Sequence, residues 1–140
     1  MKNVNFTLKP TKEILKKRGL EKGGKAQKLI DSEVLRRTSP YLPHAYGELE
    51  RSGRRGTVIG SGLVVYNTPK GRFLNYGKVM VGEKSGSAWA HQNEKKVVTD
   101  KNLTYQGGGK RGAFPFNRMK ADHKNDILRK AASITGGKAK

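Results

Sequence analysis

The chain has 140 residues, with 30 Lys and Arg against 11 Asp and Glu, a formal net charge of +19, and no cysteine. A chain of this length makes one domain with a modest core, too small for a deep enclosed active site plus a second module. The missing cysteines exclude disulfides and thiolate metal sites. The charge predicts attraction to polyanions and repulsion between isolated copies, without choosing among DNA, RNA, anionic lipid and an acidic protein surface.

The opening MKNVNFTLKPTKEILKK lacks the apolar core of a signal peptide, and no apolar run approaches the roughly 20 residues that span a bilayer, so a soluble protein is expected. Val4, Phe6 and Leu8 alternate with polar residues, which reads as a short strand or extended arm ending at Pro10. A short helix follows from Thr11 to Arg18, making residues 1–21 an arm ahead of the main domain. Gly23 and Gly24 break the chain. Ala26, Leu29, Ile30 and Val34 then share one side of a helix, with Lys25, Lys28, Asp31 and Arg36 largely on the other. That helix should stop near Ser39, because Pro40 restricts the residue before it and has no N–H to donate.

From Thr57 the sequence TVIGSGLVVYN is rich in β-branched residues and predicts a strand, with Gly60 and Gly62 marking a bulge or close backbone approach. RFLNYGKVMVG is also strand-compatible, although Phe73, Leu74 and Tyr76 fit one helical turn equally well. Both segments are expected in one antiparallel sheet. Residues 82–113 read as a long hairpin or loop, with strands at Lys96 to Thr99 and at Asn102 to Tyr105. Met119, His123, Ile127, Ala131 and Ile134 mark one face of a helix from Pro115 to Thr135, with Pro115 in its first turn and Gly136 placed for a left-handed cap. Residues 136–140 read as a disordered basic tail. The sum is an α+β domain over residues 22–135: a small antiparallel sheet with a long helix in the N-terminal half and another at the C-terminus.

Motifs for chemistry are weak. GRRG at Gly53 to Gly56 and GKRG at Gly109 to Gly112 match the Gly-x-x-Gly loop with which KH domains clamp a nucleic-acid backbone, but a KH loop joins two helices and neither match is predicted to. Basic turns on a solvated surface are the simpler reading. Arg54, Arg55, Lys110 and Arg111 are the candidate contacts to DNA or a partner. GGGKRG has no Ser or Thr after Lys110 to hold magnesium, so it is not a phosphate loop. His44, His91 and His123 lack metal-ligand spacing, and no nucleophile sits in a catalytic order. No metal, cofactor or enzyme activity is expected. Tyr66, Phe73 and Tyr76, close to Lys70 and Arg72, could stack on unpaired bases or build the core of a sheet.

The order of these segments resembles a family. A helix with AQKLIDSEVLRRTSPYLP leads into GELERSG, then VVYNTP, RFLNYGKVMV and the closing GAFPFNRMKADHKNDILRKAA. Over roughly residues 22–135 this resembles the phage minor capsid proteins that belong with the tail-completion and head–tail connector proteins of long-tailed bacteriophages. The resemblance implies that Pro40 and Pro43 stop the long helix, and that Gly47, in a Gly-x-Leu-x-x-Ser turn with Leu49 and Ser52, reverses the chain toward the sheet. It further implies a structural virion protein of the neck, assembling in the host cytoplasm into a ring, hexameric in the virion, that joins the DNA-filled head to the tail. Its partners would be a head-closure ring and a tail terminator or tail tube, with non-specific contact to packaged DNA and none to membrane. The rival reading is a small basic nucleic-acid-binding module, KH-like or ribosome-associated.

Overall fold

A computed structural model describes residues 7–44 and 47–138. They form helix α1 (Thr11–Arg18), helix α2 (Lys25–Thr38), a 3-10 turn (Ser39–Tyr41), helix α3 (Glu48–Gly56), helix α4 (Gly71–Tyr76), strands β1 (Lys78–Gly82) and β2 (Lys96–Asn102), and helix α5 (Pro115–Thr135). The fold is α+β, with a two-stranded antiparallel sheet beside a helical body. Val4 and Phe6 of the predicted N-terminal strand lie outside the described residues, as do Ala139 and Lys140 of the predicted tail.

The body is the pairing of α2 with α5. Each places an apolar residue inward about once per turn, so the two stripes meet. Met119 and Ile127 of α5 and Tyr41 of the 3-10 turn form the buried cluster, with Ile30 and Val34 of α2 packed against it. Met119 is only 1 % exposed. Pro40 lies in the 3-10 turn that ends α2, and Pro115 opens α5. Gly136 caps α5 at φ 74°, a left-handed conformation.

Two expectations are corrected between residues 47 and 67. GELERSG is not an open turn leading to a sheet: Gly47, at φ 66°, starts helix α3, which runs through the Arg-Gly stretch to Gly56. TVIGSGLVVYN is not a strand either. Its backbone bonds go to side chains instead of a neighbouring strand: the Gly60 and Gly62 N–H groups donate to Asp31 Oδ2 at 2.8 and 3.0 Å, and the Val65 N–H donates to Thr57 Oγ1 at 3.0 Å. Gly60 and Gly62 have φ of 97° and 80°, which turn the chain back and forth where a strand would run straight.

The segment RFLNYGKVMVG splits at Gly77. Phe73, Leu74 and Tyr76 take the helical alternative in α4, Gly77 ends that helix at φ 71°, and the residues after it form β1. β1 pairs antiparallel with β2, Met80 opposite Val98 and Gly82 opposite Lys96, which makes a hairpin over residues 78–102 whose first strand, apart from Gly82, lies ahead of the 82–113 segment. The two strands expected at 96–99 and 102–105 are one, ending at Asn102, after which the chain is irregular. β1 packs beside α4. Tyr105 and Phe114 return the chain to α4: Tyr105 Oη donates to the Leu74 carbonyl at 2.8 Å, and the Phe114 N–H donates to the Asn75 carbonyl at 2.8 Å.

Candidate functional site

The four basic candidates fall into two unlike settings. Arg54 and Arg55 are exposed on α3, where Arg54 forms an ion pair with Glu50 one turn earlier at 2.6 Å. The Gly-x-x-Gly pattern around them has a packing origin. Gly53 and Gly56 lie on the helix face that meets the chain returning at 65–66. A Cβ on Gly53 would strike the Tyr66 ring, and one on Gly56 would come within 2.9 Å of the Val65 carbonyl oxygen. Both glycines therefore admit a close approach of backbone, and the arginines between them point away. This is a helix surface, neither a KH loop nor a turn.

Lys110 and Arg111 do structural work at the other end of the helix pair. Arg111 Nη1 donates to the Leu42 carbonyl at 2.7 Å, and the Gly112 N–H donates to the Tyr41 carbonyl at 3.3 Å. Lys110 Nζ donates to Tyr41 Oη at 3.2 Å and sits 5.1 Å from the centre of that ring. Arg118 closes the loop from behind, donating to the carbonyls of Ala113 and Lys110 at 2.8 and 2.7 Å. The turn GKRG thus fastens the end of the hairpin connection to the end of α2.

Around Tyr41 the two helices share a polar network. Arg37 Nη1 donates to His123 Nδ1 at 2.9 Å, and since a guanidinium has no acceptor, the imidazole proton lies on Nε2. Nε2 then donates to Tyr41 Oη at 3.2 Å, while the hydroxyl donates to Asp122 Oδ2. With Lys110 as its second donor, the Tyr41 oxygen has its bonding capacity filled. The Tyr41 hydroxyl, and after it the Lys110 charge, holds the Asp122 carboxyl below its ordinary range. One turn along, Glu33 accepts from Arg36, Arg37 and Lys130 at 2.8, 2.9 and 3.1 Å. Its carboxyl is brought down to about 2, chiefly by the Arg36 hydrogen bond. A residue order of Asp, Tyr and His resembles a proton relay, but Tyr41 is 2 % exposed and its oxygen and both His123 ring nitrogens are already bonded, so the set reads as a clamp between helices.

Asp31 was expected on the solvent side of α2 and is instead 2 % exposed. Its carboxylate gathers the two glycine N–H groups and the Gln27 amide, the last at 2.7 Å. The aromatic candidates also divide. Tyr66 is half-buried, with its hydroxyl pushed up to about 12 by burial, whereas Tyr76 is exposed and packs edge-on against Phe114 at 5.9 Å.

The surface that sequence reasoning did not single out is the hairpin tip. Glu94 organises it: Oε1 accepts from the N–H groups of Lys84 and Ser85 at 2.9 and 2.6 Å, and Oε2 from Ser85 Oγ and the His91 N–H at 2.9 and 2.8 Å. These bonds, led by the Ser85 amide, bring the Glu94 carboxyl down to about 2. The loop so held presents Trp89 at 88 % exposure, with Val98 also open on β2. A lone tryptophan in a polar loop carries no periodic signal; besides the Glu94 bonds, its backbone N–H donates to Ser87 Oγ at 3.1 Å and Lys96 Nζ donates to the Ala88 carbonyl at 2.9 Å.

Among the described residues no group of three or more His, Asp or Glu is placed to hold a metal ion, and no helix is long and apolar enough to cross a membrane. No protein-family model, curated protein or solved structure matches the chain.

Proposed function

We propose that this protein is a structural subunit of a phage neck, joining the DNA-filled head to the tail as part of a ring. The observation that carries an assembly role is the projecting β1–β2 hairpin, whose ordered tip exposes Trp89. An aromatic side chain held in the open on a fixed loop loses little freedom on docking and removes a large apolar area from water when covered. Val58, Leu63 and Val98 add exposed apolar surface, and the two-stranded sheet has unpaired outer edges that can accept a strand from a neighbour. The assignment to the neck rests on the order of segments described above, from AQKLIDSEVLRRTSPYLP to the FNRMKADHKNDILRKAA helix. Neighbours would be other copies, a head-closure ring and a tail terminator or tail tube, in a heterologous ring closed by rotation.

The test is electron microscopy of particles from the phage lacking this chain, complemented by wild-type protein or by Trp89→Ala. Filled heads without tails in the deletion, restored by wild-type and not by the variant, are expected. Normally tailed particles in the deletion overturn the proposal.

A further inference from the structure

The acidic side chains are unevenly placed. Glu33, Asp122 and Asp126 meet basic groups in the α2–α5 clamp, Glu50 meets Arg54, and Asp31 and Glu94 bind backbone N–H groups. At the N-terminal end the balance is reversed. An open cleft of about 980 Å³ between α1 and the C-terminal end of α5 is lined by Lys9, Lys16, Lys17, Arg18 and Lys25, with Glu13 its one acidic lining residue. None of those five basic side chains forms an ion pair among the described residues. No residue of α1 is buried, so Lys16, Lys17 and Arg18 serve no packing role that would explain their positions.

We infer that α1 and this cleft grip the phosphate backbone of duplex DNA. A helix of this length extends about 12 Å, and over that distance each strand of a duplex presents about three or four phosphate charges, roughly one per 3.4 Å of axis. Lys16, Lys17 and Arg18 in the last turn of α1, with Lys9 ahead of the helix and Lys25 at the start of α2, can meet such a row together, whereas a small anion could engage only one or two of them. The remaining walls, Ile14, Ile134, Thr135 and Gly136, supply no polar cage for a small ligand, since the Thr135 hydroxyl is already given to the Ala131 and Ala132 carbonyls. A bilayer would call for a wide face of bulky apolar residues, which α1 does not present. Recognition through lysine charges alone carries no base specificity. This inference stands apart from the neck assignment and moves the expected DNA contact from Arg54, Arg55, Lys110 and Arg111 to the opening of the chain.

The experiment is a salt series of fluorescence anisotropy titrations with the full chain and a short labelled duplex. The triple variant Lys16→Gln, Lys17→Gln, Arg18→Gln is compared with Arg54→Gln, Arg55→Gln. Glutamine keeps helix propensity, and the altered side chains are exposed. Each lost phosphate contact lowers the slope of log K against log salt by about 0.9, so the triple variant should bind with a slope shallower by roughly 2 to 3, and the α3 pair should match wild type. Hydrogen exchange of the unmodified protein provides a second readout, with protection by the duplex expected at residues 9–18. Absence of duplex binding by the wild type at low salt, an unchanged slope in the triple variant, or protection confined elsewhere overturns the inference. Stronger competition, per unit charge, by phosphatidylglycerol vesicles or polyglutamate than by unlabelled duplex overturns it in favour of a membrane or an acidic protein.

Discussion

Asp31 shows how one carboxylate can set the path of a distant segment. The turn at Gly60 and Gly62 leaves two N–H groups pointing inward, and a buried donor without an acceptor is costly. Asp31→Ala should therefore cost about 3 kcal/mol, read as a lower urea midpoint at unchanged slope. Asp31→Asn keeps an oxygen in place and should lose markedly less. Equal losses would mean that charge, and not the two hydrogen bonds, holds the turn. At Gly53 the same logic concerns space: the Tyr66 ring occupies the volume of a Cβ, so a residue of low helix propensity is kept inside α3.

The α2–α5 pair is the element on which the rest depends. Ile127 is buried in its cluster, and Ile127→Ala should cost about 2 to 4 kcal/mol by urea denaturation. Ile30 and Val34 are only half-buried, and truncating them should cost less. The polar side of the pair makes stability depend on pH. Glu33 has a folded value of about 2 against an ordinary 4.5, so its contribution is complete above about 4.5 and is lost as pH falls toward 2. Glu33→Gln should be less stable than wild type at neutral pH, with the gap closing over that interval. A constant gap down to pH 2 would show that the side chain acts through packing alone. Glu94 and Glu50 are shifted in the same direction, so the wild-type protein should also weaken with acid for reasons outside the clamp.

At the scale of the whole molecule, charge opposes self-association while exposed apolar groups favour it. With +19 on each copy, repulsion should keep the isolated protein monomeric at moderate salt until an acidic neighbour or a polyanion offsets the charge. Sedimentation should show a monomer at low concentration, and a stable ring under those conditions would overturn this expectation. Screening by salt should bring association on, and Trp89→Ala should weaken it, if the hairpin tip is where copies or partners meet.

Local patterns in the sequence sufficed for α1, α2 and α5, because each has its own punctuation: Pro10, Gly24, Pro40, Pro115 and Gly136 stand at or beside helix ends, and the apolar spacing of α2 and α5 is regular. The Arg54–Arg55 and Lys110–Arg111 pairs were visible as charge, and as charge alone they look alike. Tertiary structure separated them, since only Lys110 and Arg111 lie where the end of α2 offers a phenol and carbonyls to bind. It also decided the segment from Gly47 to Asn67. There β-branched residues favour a strand locally, but Asp31 supplies the acceptors that a partner strand would have given, and Gly53 and Gly56 let the chain pack against α3. Local sequence governs backbone preference within a few residues, whereas the partner of each hydrogen bond is chosen by what folding brings within 3 Å.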